Sequence, residues 1–293
     1  IGPTLAALFH PNGQELITSG SSGLLRWPLA RNIDEAVGEL RIGPPQKLAE
    51  LATNKGRAAL DQNGRKIVID ESRDSAVVFD LEQPTKRLRL QPHPKLHYIA
   101  ISPDGRWAAT GTWQGTGVKV WDVESGKLEA DLMPDRVSAT TAFSPDGKLL
   151  VVGTGIEYAF FEVPSWRLKY RLAREHGGGH GGHVAFTRDG RVAAIAQSRP
   201  LIDLIDPDTG HRLATLEPPN PTAVGSLVFT PDGSHLAAES NNTIQLWDLR
   251  RIREQLAALG LDWDLPSYAA ADQQTATPLE VVVDMGALTG SRR

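Results

Sequence analysis

The stretch SPDGRWAATGTWQGTGVKVWD, residues 102–122, decides the fold. It opens on a Pro-Asp-Gly turn, in which the Asp side chain bonds its own backbone and the Gly takes positive φ. A second strand follows at residues 106–111 (RWAATG), then the turn GTWQG bearing Trp113, then a third strand at 117–122 (GVKVWD), where Val118 and Val120 alternating with Lys119 mark a half-buried strand. Just upstream, HYIAI at 97–101 makes a first strand, and downstream KLEADL at 127–132 makes a fourth, entered through the turn Glu124-Ser125-Gly126.

The same unit recurs along the chain. Its turns are HPNG at 10–13, DQNG at 61–64, SPDG at 102–105, SPDG at 144–147, TRDG at 187–190 and TPDG at 230–233. The turn glycines Gly13, Gly64, Gly105, Gly147, Gly190 and Gly233 are spaced by 51, 41, 42, 43 and 43 residues. A period near 40–45 built of short strands is that of a propeller blade, and a lone small sheet cannot bury both faces, so each copy must lean on its neighbours. The third strands close on Phe79-Asp80, Trp121-Asp122, Phe161-Glu162, Ile205-Asp206 and Trp247-Asp248, with Trp27-Pro28 as a worn version. The expected fold is all-β: a propeller with six four-stranded repeats, either six blades or part of a seven-bladed ring, with a short C-terminal helix and tail.

Two departures from the period carry expectations of their own. Residues 30–45 sit between the third and fourth strands of copy one as a surface insertion, with one or two helical turns expected over Asn32 to Leu40. The sixth copy has three strands and then RRIREQLAAL at 250–259, where Leu249, Ile252, Leu256 and Leu259 recur at helical spacing and Gly260 ends the helix. The organisation expected is a propeller over 1–249, a packed helix over 250–265, and a linker and tail over 266–293 with an edge strand at 279–285. Because bare strand edges recruit other chains, Val281 to Val283 are expected to pair either as the missing outer strand of copy six or with the edge of copy one.

The two intact Trp-Asp pairs, four near matches and SPDG-type turns resemble the WD40 repeat family over residues 4–249. The resemblance implies a non-enzymatic platform that binds proteins or peptides. The polar network of that family survives here in little more than Gly182-His183, Asp74 and Asn242, so stability is expected to rest on strand pairing and apolar packing. The segment LGLDWDLP, 259–266, is similar to one that follows WD40 arrays in large bacterial proteins with an upstream serine/threonine kinase domain. The chain itself has no glycine-rich nucleotide loop, HRD loop or DFG motif. This resemblance implies the regulatory or targeting portion of a larger bacterial signalling protein, a monomeric domain within a longer chain, with a cytoplasmic location expected.

Composition narrows the partners. With 31 basic and 35 acidic residues and a net charge of −4, there is no basic footprint for nucleic acid, and no apolar run long enough to insert in a bilayer. Cysteine is absent, which removes disulfides and thiolate chemistry. His176, His180 and His183 in HGGGHGGH offer imidazoles to zinc or nickel, but glycines hold no fixed ligand geometry, so no metal is assigned. Asp104, Asp146, Asp189 and Asp232 occupy the same turn in successive copies and read as turn formers rather than acids or bases. No catalytic residue and no cofactor is expected. The alternatives are a propeller enzyme, hydrolytic or quinone-dependent, which requires convergent ionisable groups at one buried pocket, and a purely structural array.

Strand direction places the Gly turns on one rim and the second-to-third-strand turns, with the blade connections, on the other. The first rim is chemically uniform; the second varies and carries Tyr98, Trp113, Gln114, Arg136, Tyr158, Arg199 and Asn242. Tyr, Trp and Arg are the residues richest in interface hot spots. The expected protein-binding site is this variable rim, centred on copies three and four through Tyr98, Trp113, Arg136 and Tyr158.

Overall fold

The computed structural model describes residues 3–32, 38–51, 56–175, 181–218, 222–240, 243–268 and 279–289. Six antiparallel sheets follow one another in chain order, as in a six-bladed β-propeller. The first contains β1 (Thr4–Phe9), β2 (Glu15–Gly20), β3 (Gly23–Asn32), β4 (Gly38–Ile42) and β5 (Gln46–Ala49). The second is β6 (Ala58–Leu60), β7 (Lys66–Asp70), β8 (Ala76–Asp80) and β9 (Gln83–Leu90); the third is β10 (Leu96–Ile101), β11 (Trp107–Thr112), β12 (Thr116–Asp122) and β13 (Leu128–Val137). The fourth is β14 (Thr140–Phe143), β15 (Leu149–Gly153), β16 (Glu157–Glu162) and β17 (Arg167–Ala173). The fifth is β18 (Val184–Phe186), β19 (Ala193–Ala196), β20 (Ile202–Ile205) and β21 (Arg212–Leu216), and the sixth has three strands, β22 (Leu227–Phe229), β23 (His235–Ser240) and β24 (Thr243–Asp248). Helix α1 (Leu249–Ala258) and strand β25 (Leu279–Val283) complete the chain.

The chain divides into two compact units. One holds residues 1–110, 119–129 and 272–293, the other 111–118 and 130–271. In each, the core lies between successive sheets, because the second and third strands, such as Lys66–Asp70, Leu149–Gly153 and Ala193–Ala196, are buried almost continuously and so carry two apolar faces. In the first unit, Val68, Ala76, Val78 and Leu90 of the second blade meet Ile101, Ala108 and Trp121 of the third. In the second, Ala194, Ile202 and Leu204 of the fifth blade meet Phe229, Leu236 and Ala238 of the sixth.

Each turn glycine has φ between 71° and 73°, a conformation that an L side chain resists. Around it the hydroxyl of Ser102, Ser144, Thr187 or Thr230 donates to the Asp two residues on at 2.5–2.7 Å, while accepting from the backbone N–H five residues on. In blade two Asp61 takes the hydroxyl's place, accepting from the N–H groups of Arg65 and Lys66.

The helical turns expected over Asn32 to Leu40 fall mainly on residues 33–37, which lie outside the described residues; on either side of them β3 continues to Asn32 and pairs antiparallel with β4, with Leu29 opposite Ile42 and Asn32 opposite Glu39. A strand that overshoots its blade leaves ladder groups unpaired, and the hairpin supplies their partners. The C-terminal run joins the first copy's sheet at that hairpin, β25 lying parallel to β4 from Leu279 opposite Gly38 to Val283 opposite Ile42. The sixth sheet therefore keeps three strands among the described residues. With no outer strand beside it among the described residues, Trp247 is half-buried, whereas Trp121 is buried.

The helix obeys its sequence signals. Asp248 caps it, accepting from Arg250 and Arg251 N–H, and Gly260 ends it at φ 71°. Leu249 is buried, Ile252 and Leu256 pack on the core of blades five and six, and Leu259 is exposed. Arg253 organises the segment after the helix. It forks onto Asp262 at 2.9 and 3.0 Å, donates to the carbonyls of Leu265 and Pro266 at 2.6 Å each, and lies over the rings of Trp263 and Tyr268.

Candidate protein-binding rim

The rim of Gly turns is chemically self-satisfied. Hydrogen bonds from the Ser234 and Thr230 hydroxyls hold the Asp232 carboxyl down to about 2. At Asp146 burial pushes upward, but hydrogen bonds from Ser144 and Lys148 outweigh it and the carboxyl lies below its usual range. These carboxylates stay ionised and bonded to their own turns, which leaves them no proton to exchange near neutrality. A cavity of about 410 Å³ opens beside two such turns, lined by Arg188, Asp189, Arg191, Asp232, Arg253 and Tyr268. Asp189 and Asp232 are bonded within their turns and Arg253 to Asp262, so neither of the cavity's carboxylates is uncommitted.

On the other rim, Trp113 and Gln114 form the β11–β12 turn, half-buried and exposed respectively, with Gln114 in the left-handed region at φ 56°. The turn is tied to the connection after β13: Gln114 N–H donates to Ser138 Oγ at 3.0 Å, and Ser138 N–H to the Gly115 carbonyl at 3.0 Å. Arg136, at the end of β13, donates through Nε to Glu157 at 2.8 Å and through Nη1 to Asp135 at 2.7 Å; Glu157 also lies 3.4 Å from Arg171. The hydrogen bond to Glu157 and both negative charges hold the Arg136 pKa above its ordinary value. The turn bearing Trp113 and Gln114 and the end of β13 bearing Arg136 are thus joined through Ser138: an aromatic, an amide and a cation on a braced backbone.

The remaining rim residues distribute differently. Tyr98 belongs to the other unit, where its ring meets His97 edge-on at 4.9 Å and His97 Nδ1 lies 3.0 Å from Arg57. Arg199 is exposed, its carbonyl accepting from Val224 N–H at 2.7 Å. Asn242, His176 and His180 lie outside the described residues. Among the described residues no group of three His, Cys, Asp or Glu is placed to hold a metal ion.

Tyr158 is a correction. It is 0 % exposed, its hydroxyl donating to the Ala196 carbonyl at 2.7 Å, and burial pushes that hydroxyl far above its ordinary pKa. The physical reason is register: Tyr158 stands three residues before Phe161, where Leu24, Ala76, Val118 and Ile202 stand in other blades, and each of these faces the next blade. Gly182 lies so close that a Cβ there would meet the Tyr158 oxygen at 2.3 Å. Arg174, buried beside it, donates to the Ala196 and Thr154 carbonyls at 2.6 and 2.9 Å. Tyr158 and Arg174 clamp blade four to blade five and offer a partner nothing.

The supporting polar network is also larger than the sequence suggests. Trp121 Nε1 donates to Thr110 Oγ1 at 2.9 Å, and Thr110 Oγ1 lies 2.7 Å from His93 Nδ1, all three residues buried. Trp27 repeats half of this, donating to Thr18 Oγ1 at 2.8 Å. Thr18 and Thr110 each stand five residues after their turn glycine, a spacing visible in the sequence. His93, in QPHP, carries no such signal.

Comparison with known proteins agrees with this geometry. A profile of the family described as WD domain, G-beta repeat matches residues 84–122 and 210–248, each running from an outer strand to the next Trp-Asp pair. Telomerase protein component 1 of Rattus norvegicus is 30% identical over 169 residues, and that of Mus musculus 27% identical over 165. Each alignment covers 55% of this chain and 6% of the relative. The chain carries WD40 repeats, and its fold is a six-bladed β-propeller of that type.

Proposed function

We propose that the chain is a non-enzymatic binding platform for a protein or peptide. The observation that carries this reading is the contrast between the two rims. One rim repeats a single turn whose polar groups are consumed internally; the other presents Trp113, Gln114 and Arg136 on a turn and a strand end joined through Ser138, with Arg199 exposed in the same unit. Varied side chains on a rigid scaffold serve selective recognition, and uniform ones serve folding. The docking site is centred on Trp113 and Arg136. WD40 propellers generally bind protein partners, and the relatives over 55% of the chain are by name a protein component of telomerase. In its cellular setting the platform is the regulatory or targeting part of a larger bacterial signalling protein, a reading supported by the resemblance of residues 259–266. The test is a photo-crosslinking residue at Gln114, with Arg188 on the Gly-turn rim as control. Adducts at Gln114 and none at Arg188 support the proposal; equal labelling contradicts it.

A further inference from the structure

The outer strands of blades two to five guard their open edges. β9 carries Lys86 and Arg89, β13 Pro134, β17 Lys169 and Arg171, and β21 Arg212. Cations and proline on an edge strand keep other chains from pairing with it. The first copy ends differently. Its sheet runs β1-β2-β3-β4-β25, so β25 is the last strand on this path among the described residues. It reads LEVVV, without Lys, Arg or Pro, and its register against β4 is unbroken from Leu279 to Val283.

The orientation of this strand follows from one hydrogen bond. Asp284 N–H donates to the Ile42 carbonyl at 2.8 Å. In a parallel ladder every second residue turns its backbone groups to the partner, so Glu280, Val282 and Asp284 face β4 with theirs. Leu279, Val281 and Val283 turn their N–H and C=O groups to the open edge. Side chains alternate as well. Leu279, Val281 and Val283 share a face with Leu40 and Ile42 and are 44%, 52% and 50% exposed. Glu280 lies on the opposite face beside Glu39, which pairs with Arg41 at 3.2 Å, and Asp284 continues that face. Among the described residues neither Glu280 nor Asp284 forms an ion pair, Asp284 accepting the Gly286 N–H at 2.9 Å.

We infer that β25 is an edge for strand addition by another polypeptide, and that the segment it takes is extended and alternates apolar residues with Lys or Arg. The outward N–H and C=O groups of Val281 and Val283 supply the ladder, and Leu279, Val281 and Val283 the apolar face. Glu280 and Asp284 select the basic residues, because opposite charges across a strand pair stabilise it and like charges destabilise it. The same acids argue against a second copy. Pairing about a two-fold axis at Val281 sets Glu280 diagonal to its own counterpart, and an axis at Val282 sets it opposite Asp284. The inference does not rest on the Trp113 and Arg136 rim, which belongs to the other compact unit.

The probe is a fluorescein-labelled Lys-Val-Lys-Val-Lys-Val-Lys peptide, added to the full chain and followed by fluorescence anisotropy. Saturable binding is expected, lost when alternate residues of the peptide are N-methylated on the pairing edge, and at least about tenfold weaker when Glu replaces Lys. Val281→Pro removes an outward N–H and leaves those turned to β4, a place where an edge strand tolerates proline. This variant should keep the wild-type unfolding curve and bind the basic peptide at least about tenfold more weakly. The N-methylated peptide reads the wild-type chain, so the inference is tested whether or not the proline variant folds. Absence of binding by the basic peptide overturns the inference, as does equal binding by the N-methylated or the acidic peptide. Concentration-dependent self-association of the wild-type chain that Val281→Pro abolishes overturns it too, by identifying a second copy as the occupant.

Discussion

Thr110 and Ala238 occupy the same place in blades three and six, and the difference decides what two tryptophans are worth. Trp121 Nε1 has the Thr110 hydroxyl; Trp247 Nε1 is enclosed with no hydrogen-bond partner among the described residues. A buried hydrogen bond contributes about 1 kcal/mol, and an enclosed donor without one costs about 1–3 kcal/mol. Trp121→Phe should therefore lower stability by about 1–2 kcal/mol, whereas Trp247→Phe should be neutral within about 0.5 kcal/mol, both read by urea denaturation. The pairing is legible in the sequence only when two positions are read together: Trp27 and Trp121 have a hydroxyl five residues after the turn glycine, and Trp247 does not. Tyr158 escapes a sequence reading for a related reason, since a residue beside a turn reads as part of the rim, although its register from Phe161 sends it between blades. Asp232 supplies a pH prediction. Its folded carboxyl lies at about 2, below the ordinary value of 3.8, so the stability it contributes is present above pH 3.8 and is lost as pH falls towards 2. Asp232→Asn should flatten the stability profile in that window and leave the slope above pH 5 unchanged.

At the scale of elements, local signals are enough wherever the partner strand is local. The turns, the second and third strands, the outer strands and the Asp248-capped helix all stand where alternation, glycine spacing and capping chemistry put them. The insertion is not legible in this way, because β4 is held as a strand by β3 on one side and by β25, from the far end of the chain, on the other. Nothing in residues 38–42 announces a parallel partner. The segment after α1 depends likewise on one buried cation. Arg253 donates to three carbonyls, those of Trp263, Leu265 and Pro266, and each such hydrogen bond contributes about 1 kcal/mol, so Arg253→Met should lower stability by about 3 kcal/mol, with little added by the exposed Asp262. Hydrogen exchange should show faster labelling at residues 261–268 with blades one to three unchanged. Unchanged protection there would mean that the segment is held by Trp263 packing alone.

For the whole molecule, the period of 41–43 residues between most turn glycines carries the architecture, since a repeated small sheet with two apolar faces has few ways to bury both. The function claimed for the platform rests on one rim being built for folding and the other for recognition, and the residues that separate these roles are Trp113 and Arg136. Arg136 is braced by Glu157, which keeps Arg171 as a second partner, so truncating Arg136 leaves no isolated charge. The direct measurement is the affinity of the partner crosslinked at Gln114 for the double variant Trp113→Ala, Arg136→Ala, with circular dichroism confirming the fold. A loss of about 2 kcal/mol or more, roughly thirtyfold, is the predicted result; unchanged affinity in a folded double variant would contradict the assignment of this rim as the binding site.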